Sequence, residues 1–251
     1  MAGKLAHAER CPQRVVIIQH FPGSVKDYAL AMQAHGRVFP LPKRCPHPHC
    51  RASACLIRWG TYTRWACLPD TDHPISVQRV RCKLCGRTHS LLPDFLHPHR
   101  HYLLGLLQHA VDLYLLVGLG WQRLMDRLSP GPAPSTVRAW VSSFAYGAGH
   151  LLFDHLLRHL VALDPTLELP DETPRHLLRV RDPLHRRRLE RAHTFRLLAE
   201  RLYAQVKARL PRLYFTAEQL FPFLLHWLQS RTLPSRLFWS PALPTTPTQP
   251  F

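Results

Sequence analysis

Apolar residues along the chain change their period near Pro98. Before it they come in short β-branched and aromatic runs: RVVIIQHF at 14–21, ACLIRWGTYTRWA at 54–66 and ISVQRVRC at 75–82. Runs of this length, bounded by Pro, Gly and Asp, predict strands. Pro22-Gly23 ends the first run, and SVKDYALAMQAHG then predicts a short helix closed by Gly36. The turn-rich LPDTDHP between the second and third runs predicts an antiparallel pair. Beyond Pro98 the spacing is helical, through HRHYLLGLLQHAVDLYLLVG, WQRLMDRLS and STVRAWVSSFAYGAGHLLFDHLLRHLVAL. PGPAP at 130–134 parts the second from the third and leaves Ser135 at the N-cap position, with Thr136 beside it. In that third segment Val137, Trp140, Val141 and Phe144 fall at core spacing, with Ser135, Thr136, Arg138 and Ser142 outward. A basic helix or helix pair follows at 175–212, and an apolar helix at 216–229, broken near Pro222. The Pro-rich tail from Thr232 is expected to be loosely ordered.

Composition adds a core and a charge. A 251-residue chain that is 46% hydrophobic can bury a sizeable interior. The longest apolar run, Tyr102 to Leu119, is interrupted by Gln108, His109 and Asp112, so it reads as a buried helix and not a membrane span. With no apolar stretch of signal-peptide length at its start, the chain is expected in the cytoplasm. Lys and Arg number 33 against 16 Asp and Glu, a net charge of +17. A polyanion is the expected partner; the spread of the basic residues favours nucleic acid over a membrane surface. A generally basic proteome would give the same charge without a specific partner.

Candidate chemistry concentrates in two cysteine pairs. CPHPHC at 45–50 and RCKLCGRTH at 81–89 supply Cys45, Cys50, Cys82 and Cys85, and two facing Cys turns suit a tetrahedral Zn²⁺ site. Two residues between Cys82 and Cys85, followed by Gly86, make a regular knuckle. Four residues part Cys45 from Cys50, so His47 or His49 stands as an alternate ligand. With every position filled by protein, the zinc is expected to be structural. Cys11, Cys55 and Cys67 read as small apolar side chains.

Between and around the knuckles lie Arg58, Trp59, Tyr62, Arg64, Trp65, Arg79, Arg81, Lys83 and Arg87. Basic residues interleaved with aromatics suit phosphate contact and base stacking. Strand alternation puts Trp59 and Trp65 on one face and Arg58, Tyr62 and Arg64 on the other. The tryptophans are therefore expected to pack and the second set to meet nucleic acid, with Arg81, Lys83 and Arg87. The helices offer Arg138, and Arg186, Arg187 and Arg188 within a segment, 175–209, of eleven Arg or Lys and three acids.

In order, CPHPHC, LIRWGTYTRW, VQRVRCKLCGRTHSLLPDFLHPHRHY, GWQRLMDRLS and STVRAWVSSF resemble the bacterial transposase-associated zinc-ribbon proteins, a family of unknown function, over about residues 14–160. The resemblance implies a zinc ribbon followed by a helix-turn-helix, zinc on Cys45, Cys50, Cys82 and Cys85, and DNA recognition by Thr136 and Arg138. The expected fold is α+β: a small zinc-ribbon β module followed by a mainly α-helical region with a helix-turn-helix-like unit. Its expected parts are an N-terminal strand and helix (1–42), the ribbon (43–98), the helix-turn-helix-like unit (99–163), a basic helical region (164–231) and the Pro-rich tail (232–251).

The function expected is DNA binding by a targeting or regulatory factor of a mobile element, with a transposase or recombinase as a partner. One rival is a divergent or truncated transposase. The acids after the helices, Asp154 and Asp182 among them, follow no β-branched run, so no catalytic carboxylate triad is recognised. The other rival is a ribbon that grips a second protein.

Overall fold

A computed structural model describes residues 15–170, 173–233 and 236–239. The architecture is mixed α+β, built on one four-stranded sheet. Strand β1 (Val16–Gln19) comes first, and helix α1 (Val25–His35) follows under a Ser24–Asp27 capping box. Gly36 ends that helix at φ 61°, a left-handed position that favours glycine. Strands β2 (Leu56–Cys67) and β3 (Asp72–Cys82) pair antiparallel, as their composition predicts. A further strand, β4 (Thr88–Pro93), was not anticipated; it pairs antiparallel with β3 and parallel with β1, giving the order β1-β4-β3-β2. Segments 1–42 and 43–98 therefore share one sheet.

Helices α2 (Leu104–Leu115), α3 (Trp121–Arg127) and α4 (Pro134–Tyr146) follow. The N-cap of α4 is Ala133 and not Ser135, because Pro134 takes the first helical position, where its fixed φ suits the helix and its missing N–H has no bond to lose. A π-helical stretch, Gly147–Leu152, carries α4 directly into α5 (Phe153–Leu163). Helix α6 (Pro183–Arg209) is capped by Asp182, which accepts from the N–H groups of Leu184 and His185. Helix α7 (Leu220–Ser230) is unbroken at Pro222: the proline lies in its first turn, where no i−4 partner exists. No helix among the described residues is long and apolar enough to cross a membrane.

Two of the interruptions of the α2 apolar run, Gln108 and Asp112, are interior contacts, while His109 is exposed. Gln108 accepts from the N–H of Phe221, and Asp112 takes a two-pronged bond from buried Arg196 at 2.7 and 2.8 Å, tying α2 to α7 and α6. At the sheet edge, the Gln229 side chain of α7 accepts from the Ile18 N–H at 2.7 Å and donates to its carbonyl at 3.2 Å, standing in for a missing strand. Part of the tail is packed and not loose: Leu237 and Phe238 are buried, and the Trp239 N–H donates to the Ser143 carbonyl of α4. Residues 234, 235 and 240–251 of that tail, and Cys11, lie outside the described residues.

Candidate metal centre

The loop from Lys43 to Ala54 is pinned at its base. Cys45 N–H donates to the Ala52 carbonyl, Ala54 N–H to Lys43, and Arg44 bridges Ser53. Within it, the His47 carbonyl accepts from both Cys50 and Arg51, which folds the four intervening residues into a turn that brings Cys50 back beside Cys45. The second half is the turn from β3 to β4. There Cys82 N–H donates to Arg87 and Gly86 N–H to Cys82, with Gly86 at φ 70°. Lys83 N–H donates to the Cys55 carbonyl, which docks this turn on the start of β2.

These two turns place the sulfurs of Cys45, Cys50, Cys82 and Cys85 within 4.8 Å of one another, a group that could hold a metal ion. Cys45 and Cys85 lie 3.8 Å apart, and Cys50 and Cys82 3.7 Å. A tetrahedron of sulfurs about 2.3 Å from one ion has edges of about 3.8 Å. Among the described residues no other cluster of three or more His, Cys, Asp or Glu side chains has this closeness. The alternates His47 and His49 stay outside it, and buried His47 has no partner for Nδ1. A proline on each side of His47 and the bonds to its carbonyl fix that backbone while both flanking cysteines turn inward.

Two neighbours of the cluster were not foreseen. Cys55 Sγ sits 3.4 Å from Cys82 Sγ and donates to the Ala52 carbonyl, and buried His89 brings Nε2 to 3.5 Å from Cys45 Sγ. Both arrive through sheet pairing: Leu56 lies opposite Cys82, and His89 opposite Val80. The only local signal was His89 four residues past Cys85. Burial opposes ionisation of Cys82, but the Cys85 N–H, the Cys55 thiol and the Leu84 N–H outweigh it and bring the thiol down to about 6. Burial pushes Cys45 up. Cys67, away from the cluster, is buried, and its thiol is raised to about 11, first by that burial.

Around the centre the expected faces are exchanged. Tyr62 and Arg64 lie opposite buried Val77 and Ile75, so theirs is the inner face, while the extra residue between Arg58 and Thr61 takes Arg58 out of that set and leaves it exposed. Arg64 donates to the carbonyls of His97 and Arg100 and is no free contact. Trp59 and Trp65 are outward, 44% and 50% exposed, contrary to the expectation that they pack. A register shift at Arg58–Thr61, with Gly60 at φ 83°, turns Trp59 out, and the Arg81 guanidinium covers its ring at 4.4 Å. Arg58, Lys83 and Arg87 are exposed around the same turn.

On α4, Val137, Trp140, Val141 and Phe144 are buried, while Ser135, Arg138 and Ser142 are exposed and Thr136 is half-buried. Arg138 lies over the Trp121 ring at 5.4 Å. On α6, Arg186 faces Glu190 at 3.8 Å, Arg187 is exposed, and Arg188 lies over Tyr146 at 5.0 Å. Asp154 pairs with Arg191 at 2.8 Å, and Asp182 caps α6.

No curated protein and no solved structure matches the chain. Residues 45–114, from the first cysteine of the cluster into α2, match a family described as a domain of unknown function, DUF6431.

Proposed function

We propose that the chain is a DNA-binding protein whose β2–β4 module is a ribbon held by structural Zn²⁺ on Cys45, Cys50, Cys82 and Cys85, serving a mobile element as a targeting or regulatory factor. Four soft thiolates at tetrahedral spacing suit zinc, and they leave no open coordination position for catalysis. The observation that carries DNA binding is the outward Trp59 under Arg81, beside exposed Arg58, Lys83 and Arg87 on the metal-bearing turn. A flat ring framed by cations suits a strand that stacks a base and lays its phosphates alongside. The net charge of +17 supports the same reading at long range. Helices α3 and α4 are read as a helix-turn-helix-like unit that adds Arg138 from the open stripe of α4.

Fluorescence anisotropy with a labelled duplex at several salt concentrations tests this. Affinity should fall steeply with salt, and the triple variant Arg58→Ala/Lys83→Ala/Arg87→Ala should weaken it by about tenfold or more and flatten the slope. Arg138→Ala should weaken it less, at unchanged thermal stability. Salt-insensitive capture of a protein, unaffected by competitor DNA, would instead favour an interaction module, for which the exposed Trp59, Trp65 and Leu84 would be the contact surface.

A further inference from the structure

Three arginines converge where the described tail meets the turn after β4. Arg100 and Arg236 line a hollow of about 280 Å³ with His99, Phe238 and Trp239, and Arg64 stands behind it, bonded to the Arg100 carbonyl. Among the described residues none of the three forms an ion pair. The tail sequence from 240 to 251 holds no Asp or Glu.

Each guanidinium has five N–H donors, and few are used here. Arg100 donates to Ser143 Oγ at 3.0 Å, and Arg236 to His99 Nε2 at 2.7 Å while lying over Trp239 at 4.8 Å. Buried Nε of Arg64 has no partner. The three guanidiniums are half-buried, and like charges gathered with part of their hydration removed repel one another unless an anion joins them. The crowding is felt locally: burial, then Arg236, Arg64 and Arg100, depress His99. His99 itself is held at φ 64°, a left-handed conformation that a histidine adopts uncommonly.

We propose that this hollow is a binding site for a dianionic phosphate group, with Arg100 and Arg236 as its direct ligands, Arg64 as the supporting charge, and Trp239 and Phe238 as an apolar wall beside it that suits any group attached to the phosphate. Guanidinium forks match phosphate oxygens in pairs, and the volume is close to the roughly 300 Å³ at which small-molecule sites begin. The phosphate can be free or at the 5′ end of a nucleic-acid strand. The site is separate from the surface proposed above, since Arg58, Lys83 and Arg87 take no part in it.

Thermal shift with inorganic phosphate, at ionic strength held constant with chloride, tests the site by itself. Saturable stabilisation is expected, weakened tenfold or more in Arg236→Gln, whose own melting without phosphate shows that it is folded. Anisotropy with 5′-phosphorylated and 5′-hydroxyl strands separates the two sources: a preference for the phosphorylated strand, lost in Arg236→Gln, assigns the site to strand ends, and phosphate binding without that preference assigns it to free phosphate. Absence of saturable stabilisation together with equal binding of the two strands overturns the site, as does phosphate stabilisation that Arg236→Gln leaves unchanged. Failure of duplex binding in the Arg58/Lys83/Arg87 experiment leaves the phosphate result standing, so the two proposals fail separately.

Discussion

His97 shows what one buried side chain can impose. It is fully buried, and its Nε2 accepts from the N–H groups of Leu237 at 3.1 Å and Phe238 at 3.3 Å, so the ring is held neutral where the tail docks. Burial takes its pKa from the ordinary 6.5 to about 3. Between those values the unfolded chain holds a proton that the folded one refuses, so its contribution to stability is complete above pH 6.5 and declines as pH falls towards 3. Urea titrations between pH 6 and 4 should show the unfolding free energy dropping by about 1.4 kcal/mol per pH unit from this residue. His97→Gln keeps an acceptor without the titration and should flatten that slope; an unchanged slope would assign it to other groups. Nothing local to His97 marks it as buried, since its partners lie 140 and 141 positions away, beyond any local pattern.

At the level of elements, the junction of α4 and α5 is shaped by what crosses it. A Cβ on Gly147 would strike the Leu237 carbonyl oxygen, with its carbon at 2.9 Å and the Trp239 nitrogen at 3.1 Å, all backbone that cannot rotate aside. Alanine ordinarily stabilises a helix by about 1 kcal/mol relative to glycine. Here the sign should reverse: Gly147→Ala should lose about 1–3 kcal/mol by overpacking, measured as a lower thermal midpoint, while exposed Ser142→Ala should stay near wild type. The elements themselves were largely legible, because β2, β3, α2 and α4 carry their own period and α1 its caps. β4 was not, since THSLLP is a strand chiefly because β1 and β3 lie on either side of it. The faces of β2 failed for a related reason: simple alternation does not mark the register shift at Arg58–Thr61, and which set faces in depends on the elements packed over the sheet. The four cysteines were readable because each pair is close in sequence, whereas Cys55 and His89 join them only through β pairing. Leu237 and Phe238 were masked by the prolines around them.

Across the whole molecule, the four-cysteine cluster is continuous with the core. Buried Cys82 ends β3, and β3 leads through β4 and β1 to Gln229 of α7. On the zinc site proposed above, chelation or Cys82→Ser should therefore remove one zinc per chain by elemental analysis and also lower the melting of the helices. Structural zinc contributes several kcal/mol or more, so the midpoint should fall by about 10 °C or more in one transition followed by helical circular dichroism. Unaltered helical melting after complete metal loss would show that the ribbon and the helices unfold as separate units.

The Gln229 clasp on Ile18 also bears on how the chain emerges from the ribosome. Strand β1 is synthesised early, pairs with β4 some 70 residues later, and has its outer edge closed only when α7 appears about 210 residues after Ile18. Through that interval the nascent chain carries an open apolar edge at Ile17 and Ile18, the kind of edge that invites pairing between chains. Helix α7 thus acts as a late seal, and chains ending after Arg209 should aggregate during expression where the full chain stays dispersed.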